Sequence, residues 1–174
     1  MIKKALLLMV TVVLLISCKD KVATAEEKPD TFTFTLNAIV KKQDDFQVFY
    51  KEGTDTAAPY EEVHSVWVGV KGNENAQNIV INLPEGVYPT QIRFDFGQKK
   101  QEEIVINNLD ISYKDKSVAI KGAEFFNYFT PDENFVKIDK LNSKIIPVEL
   151  AGGKFDPMFY SNTDFTTRLS TMTK

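Results

Sequence analysis

The stretch 31–40, TFTFTLNAIV, has an apolar residue at every second position. An alternation of period two places the apolar side chains on one face of a β-strand and the polar side chains on the other. The same alternation recurs along the chain, and residues typical of turns separate the segments. Further strands are predicted at 46–50, 66–70, 79–83, 92–96 and 104–111, with shorter ones at 117–121, 124–129, 135–139 and 144–150.

The number and spacing of these segments predict the fold class. About ten short strands without a sustained helical period are typical of an all-β antiparallel two-sheet sandwich. Because this exceeds the seven strands of an immunoglobulin-type domain, a jelly-roll-like sandwich is favoured. The alternation changes phase at Asn107-Asn108, which predicts a β-bulge or a bend. After Gly152 the alternation weakens, and the aromatic residues there are expected to pack on the body of a single domain over 31–174.

Composition excludes several classes of protein. The 174 residues are enough for one domain. The formal net charge of −3 leaves no basic surplus for binding nucleic acid. A single cysteine excludes a disulfide framework and a Cys-rich zinc site, and a single histidine argues against a His-based metal site or triad.

The N-terminus has the pattern of a signal peptide. Two lysines in residues 1–4 precede residues 5–16, which are apolar apart from Thr11. Twelve residues are too few to span a bilayer, which needs about 20, so this segment is interpreted as the apolar part of a signal. The segment ends in Leu15-Ile16-Ser17-Cys18.

That ending resembles the lipobox of a bacterial lipoprotein. The resemblance implies a signal peptide over 1–17 and an acylated Cys18, which is the only cysteine of the chain. Residues 18–30 mix charges with alanine and predict a flexible tether, similar to that of Bacteroidetes lipoproteins. Lys19 resembles a signal for sorting to the outer membrane, with the periplasmic face and the cell surface both left open. The alternative is a plain secretory signal followed by an incidental cysteine.

The sequence has no motif typical of catalysis. The sequence has no Gly-x-Ser-x-Gly, P-loop, dinucleotide-binding or His-Glu-x-x-His motif. His64 stands alone and is expected to have a structural role at the mouth of a strand. Adjacent acidic residues on a strand point to opposite faces and form no carboxylate pair. The chain is therefore interpreted as a protein that is not an enzyme and needs no cofactor. No metal is assigned, since the oxygen-rich segment 132–134 lacks calcium-loop spacing.

Trp67 lies on the unexpected face of its predicted strand. Val66, Val68 and Val70 share an apolar face, so Trp67 points the other way together with Gly69. The glycine leaves space beside the indole, and an open indole is a flat surface against which a sugar ring can stack. This residue is the first candidate for binding a ligand.

Three further residues complete the candidate site. Phe49 is out of phase with its apolar neighbours, and Arg93 and Asp95 occupy the polar face of their strand. An apolar surface with a few convergent polar groups is typical of binding sites. The alternative is that a loop or the C-terminal segment covers Trp67 and Phe49. The candidate ligand-binding residues are Trp67, Phe49, Arg93 and Asp95.

The order of strands and turns resembles jelly-roll domains of the carbohydrate-binding-module type that are attached to bacterial envelope proteins. This resemblance implies that the sandwich binds a glycan or another envelope component without catalysis, on a chain held to the membrane by its lipid. The alternative is a structural or assembly lipoprotein whose sandwich binds an envelope protein. The segments that carry the resemblance are FQVFY at 46–50, IVINLP at 79–84, IRFDFG at 92–97 and IVINNLDI at 104–111.

Overall fold

The structure is a computed structural model that describes residues 29–174. The predicted signal peptide, the lipidation site Cys18 and residues 18–28 of the predicted tether lie outside this range. The described residues form eleven strands and two short α-helices. The strands are β1 (Thr33–Ile39), β2 (Asp44–Lys51), β3 (Ser65–Val70), β4 (Gln77–Asn82), β5 (Gln91–Asp95), β6 (Ile104–Tyr113), β7 (Lys116–Lys121), β8 (Phe129–Pro131), β9 (Val136–Asp139), β10 (Lys144–Pro147) and β11 (Met158–Ser161), and the helices are α1 (Gly122–Tyr128) and α2 (Thr163–Ser170).

The strands form two antiparallel sheets, which confirms the prediction of an all-β two-sheet sandwich. The first sheet has the order β4-β1-β6-β10-β9, and β7 pairs with the second half of β6. The second sheet has the order β3-β2-β5-β11-β8. The chain winds between the sheets, so that β1 lies between β4 and β6 while β2 lies between β3 and β5. This pairing places β2, β3 and β5, which carry the predicted ligand-binding residues, side by side.

The core lies between the inner faces of the two sheets. Phe34 and Leu36, which the alternation of β1 predicted to face inward, are fully buried. The ring of Phe34 meets the ring of Phe94 from the opposite sheet edge to face, with centroids 6.2 Å apart. The predicted packing of the C-terminal aromatic residues is also found, since Phe159 and Phe165 are fully buried.

The predicted change of phase is a β-bulge in β6. Asn37 pairs with Asn108, whereas the next residue of β1, Ala38, pairs with Ile106. Asn107 is therefore the extra residue, and β6 remains a single strand of ten residues.

The prediction of a strand at 124–129 is wrong, because most of that segment is the helix α1. Phe125 of α1 and Phe129, the first residue of β8, are both fully buried. Their rings stack with centroids 4.5 Å apart. Gly122 at the start of α1 lies so close to the carbonyl oxygen of Ile106 that a side chain there would collide with it.

A second helix, α2, was not predicted from the sequence. It begins after Asn162, whose side-chain oxygen accepts a hydrogen bond from the backbone N–H of Phe165 at 3.2 Å. Phe165 and Leu169 are buried on one face of this helix. A cap followed by two apolar residues four apart is the local signal for α2.

Asp30 fixes the start of the folded body. Its carboxylate accepts hydrogen bonds from the hydroxyl groups of Tyr88, at 2.8 Å, and Tyr113. The hydrogen bonds from Tyr113 and Tyr88 hold the pKa of Asp30 below its ordinary value. The last residue of the predicted tether is thus bound to the sandwich.

Candidate ligand-binding face

The four predicted residues lie on one face, the outer face of the second sheet. The strand register places Gln47 of β2 beside Trp67 of β3 on one side and Asp95 of β5 on the other. Two residues further along β2, Phe49 lies beside Arg93. Because side chains two residues apart on a strand share a face, these neighbouring positions form one surface.

Trp67 is open to solvent and held in place by a hydrogen bond. Its side chain is 48% exposed. The indole Nε1 donates to Oε1 of Glu62 at 3.1 Å, and Gln47 donates to the same oxygen at 2.8 Å. Glu62 lies in a 3₁₀ turn, Glu62–His64, directly before β3. The edge of the indole is therefore fixed while its ring remains accessible beside Gly69.

Phe49 is covered, so its ring is not an open surface for a ligand. It is 5% exposed. The guanidinium carbon of Arg93 lies 3.9 Å from the centre of the Phe49 ring, and the ring of Tyr60 meets it edge to face with centroids 6.3 Å apart. Trp67 is thus the exposed aromatic ring of this face, whereas Phe49 is covered by Arg93 of β5 and by Tyr60 of the connection between β2 and β3.

Arg93 and Asp95 form a bidentate ion pair on this face. Nε of Arg93 donates to Oδ1 of Asp95 at 2.7 Å, and Nη2 donates to Oδ2 at 2.6 Å. Burial raises the pKa of Asp95 above its ordinary value, and Arg93 offsets part of that increase. The opposite charges of Arg93 and Asp95 cancel, and the two hydrogen bonds fix the positions of both side chains. This part of the outer face is therefore polar.

Tyr60 and Tyr160 border the ion pair. Their ring centroids are 5.9 Å apart. Burial raises the pKa of the Tyr60 hydroxyl to about 12, so it is neutral and able to donate a hydrogen bond at physiological pH. Burial likewise raises the pKa of Asp156, whose charge acts on Arg93 and Asp95. These groups can hydrogen-bond a polar ligand that reaches past Trp67.

Sequence reasoning missed Glu62, Tyr60 and Gln47. Gln47 is two residues from Phe49 on β2, so its side chain points to the same face. This spacing could have identified Gln47 as part of the candidate face. Glu62 and Tyr60 belong to the connection between β2 and β3, which has no strand period. Their places on the face depend on how that connection folds back over the sheet.

His64 lies away from the candidate face, beside a small cavity. Its side chain is exposed and its Nδ1 is 3.7 Å from the Glu61 carboxylate. The cavity, of about 230 Å³, is lined by His64, by Tyr50 at the end of β2, and by Glu52 and other residues of the connection between β2 and β3. Nothing in this geometry pairs the imidazole with a nucleophile.

Within residues 29–174, no three His, Cys, Asp or Glu side chains are grouped so as to hold a metal ion. The oxygen-rich segment 132–134 forms a local turn, in which the backbone N–H of Asn134 donates to Asp132 at 3.1 Å. Neither described helix has the length and apolar character that crossing a bilayer requires.

No protein-family model matches the chain, and no curated protein or solved structure is significantly similar to it. The resemblances to lipoproteins and to carbohydrate-binding modules therefore stay predictions from the sequence.

Proposed function

We propose that this chain is a lipid-anchored protein of the bacterial envelope whose β-sandwich binds a glycan without catalysis. The observation that carries the proposal is the half-exposed indole of Trp67, fixed at its edge by Glu62 on the outer face of a rigid sheet. A pre-positioned aromatic ring loses little conformational entropy when a ligand stacks on it.

The surroundings of Trp67 suit a ligand that is apolar on one side and polar on the other. The C–H face of a sugar ring can lie on the indole, while its hydroxyl groups reach the Glu62 carboxylate and the ion pair of Arg93 with Asp95. The side chains of that pair are 19% and 12% exposed, so a small part of each remains accessible to a ligand. Phe49 supports Arg93 from beneath and is not part of the contact surface.

Replacing Trp67 by alanine is expected to weaken glycan binding by about tenfold or more, because aromatic anchors dominate such contacts. The full chain and the Trp67→Ala variant are compared on a glycan array, and each glycan bound is then titrated. The matched control is Val80→Ala, since Val80 is also 48% exposed but lies on β4 of the other sheet. A glycan bound equally by the wild-type and Trp67→Ala chains would remove Trp67 from the site.

The anchor is tested at Cys18. Cys18→Ser is expected to abolish the acyl mass on the N-terminal peptide, because serine lacks the thiol to which the lipid is attached. Without its acyl chains the protein is expected to move from the membrane to the soluble fraction. Ser17→Ala is the control, since it keeps a small residue before the cysteine. A wild-type protein that is processed and released without lipid would instead support the plain secretory signal.

A structural or assembly role is the second candidate, and the edge strand β3 favours it. This strand has six residues, SVWVGV, without a charged side chain. Such an edge can accept a strand from another protein chain. The absence of glycan binding by both the wild-type and Val80→Ala chains would favour this role over the first.

A further inference from the structure

β3 has an open edge at one side of the second sheet. It pairs with β2 alone, so the backbone groups along its other side face away from the sheet. Val66 and Val68 point inward but are only half-buried, and Gly69 is exposed. Unpaired strand edges of this kind are templates for pairing with another chain.

The other edge strands carry features that oppose such pairing. β8 has three residues and ends at Pro131, and the four residues of β9 include Lys137 and Asp139. β7 begins and ends with lysine. β4 is also free of charge but is followed within two residues by Pro84. Proline and lysine are residues that protect natural strand edges, and β3 and β4 contain neither. Of these two strands, only β3 carries an exposed tryptophan with a glycine on the same face.

β3 is complementary to itself in one antiparallel register. If Val68 lies opposite Val68 of a second copy, Val66 faces Val70 and the inner apolar face continues across the junction. On the outer face Trp67 then lies opposite Gly69 of the second copy. The missing side chain leaves room for the indole, and an aromatic ring opposite an edge glycine compensates for the weakness that glycine gives a strand.

The charges at the two ends of β3 match in the same register. Lys71, which follows β3 and is exposed, falls opposite Ser65 of the second copy. Ser65 is bound to the neighbouring Glu62 by a hydrogen bond of 2.7 Å from its Oγ to the Glu62 carbonyl oxygen. Glu62 precedes β3 by three residues and Lys71 follows it directly, so this register places one acidic and one basic residue at each end of the paired strands.

We propose that the chain forms a two-fold homodimer in which β3 of each copy pairs antiparallel with β3 of the other, with Val68 at the symmetry axis. The five-stranded second sheets of the two copies then join into one sheet of ten strands. The dimer brings both Trp67 side chains to one continuous outer face. This pairing does not depend on the proposed glycan, because it rests on the strand edge alone.

Gly69→Lys is the variant that tests the dimer. A Cβ at Gly69 would lie 3.5 Å from Oδ1 of Asp45, which is ordinary contact, so the monomer accepts the lysine. In the dimer the same lysine collides with Trp67 of the second copy. We expect the dimer dissociation constant to rise by about tenfold or more, as charged edge residues block pairing. The control is Ala119→Lys, which adds the same charge at an exposed position of β7.

The measurement is sedimentation equilibrium of the full chain in detergent, with Cys18→Ser as the background in every variant. We expect the background chain and the Ala119→Lys variant to be dimers and the Gly69→Lys variant to be a monomer. Oxidation of the Val68→Cys variant is expected to give a disulfide-linked dimer. A background chain that is monomeric throughout, or a dimer that Gly69→Lys leaves intact, would overturn it. Cross-linking through Trp67→Cys and not through Val68→Cys would overturn the register. A monomer that still binds glycan would leave the proposed function standing.

Discussion

Replacing Phe125 by alanine is expected to lower the free energy of unfolding by about 3–5 kcal/mol, the usual cost of removing a buried phenylalanine. Phe125 is fully buried at the point where α1 meets the core. Its ring stacks on Phe129 with centroids 4.5 Å apart and contacts Phe94, Phe96 and Phe159 within about 6 Å. The substitution would leave a cavity bordered by these aromatic rings.

Chemical denaturation followed by circular dichroism measures this loss. Phe126→Ala is the matched control, because Phe126 is adjacent but only half-buried. We expect the control to cost clearly less than Phe125→Ala. Equal losses for the two variants would mean that α1 is not seated in the core as the structure has it.

Asp44→Ala is expected to lower the free energy of unfolding by about 2–4 kcal/mol, because it removes a buried charged acceptor from several backbone donors. Asp44 is 2% exposed. Its carboxylate accepts hydrogen bonds from the backbone N–H groups of Asp45, Gln98 and Lys99, at 2.9, 3.3 and 3.1 Å. It thereby ties the start of β2 to the turn that follows β5, where Gly97 has a positive φ of 94°.

Asp45→Ala is the control for this prediction, since Asp45 is exposed and its ion pair with Lys99 is 3.8 Å long. An exposed pair of this kind contributes about 0–1 kcal/mol, so the two neighbouring substitutions should differ clearly in urea denaturation. If Asp44→Ala were as stable as Asp45→Ala, the turn at 97–99 would not depend on the buried carboxylate.

The strands were predicted well from the sequence because a strand that is buried on one face alternates apolar and polar residues. The alternation in β1 and the change of phase at Asn107 both reappear in the register. The two helices escaped prediction because each spans only seven or eight residues, too few for a sustained period. Phe125 and Phe129 lie within a run of aromatic residues, where a spacing of four is hard to distinguish from alternation.

The candidate site was predicted in part. The alternation along each strand predicted that four residues point outward, and in the structure all four lie on the outer face of the second sheet. These residues are Trp67, Phe49, Arg93 and Asp95. The sequence could not show that β2 lies between β3 and β5, since sheet order depends on long-range pairing. It also could not show that Arg93 would cover Phe49, because that contact is made between neighbouring strands.

The fluorescence of the chain's only tryptophan gives the most direct test of the proposed function, because all indole emission comes from Trp67. The full chain is titrated with a glycan identified on the array while emission and acrylamide quenching are recorded. Stacking on a half-exposed indole predicts a saturable blue shift and reduced quenching, with the same half-saturation as binding measured by calorimetry. Calorimetric binding that leaves the emission and the quenching of Trp67 unchanged would contradict the proposed site.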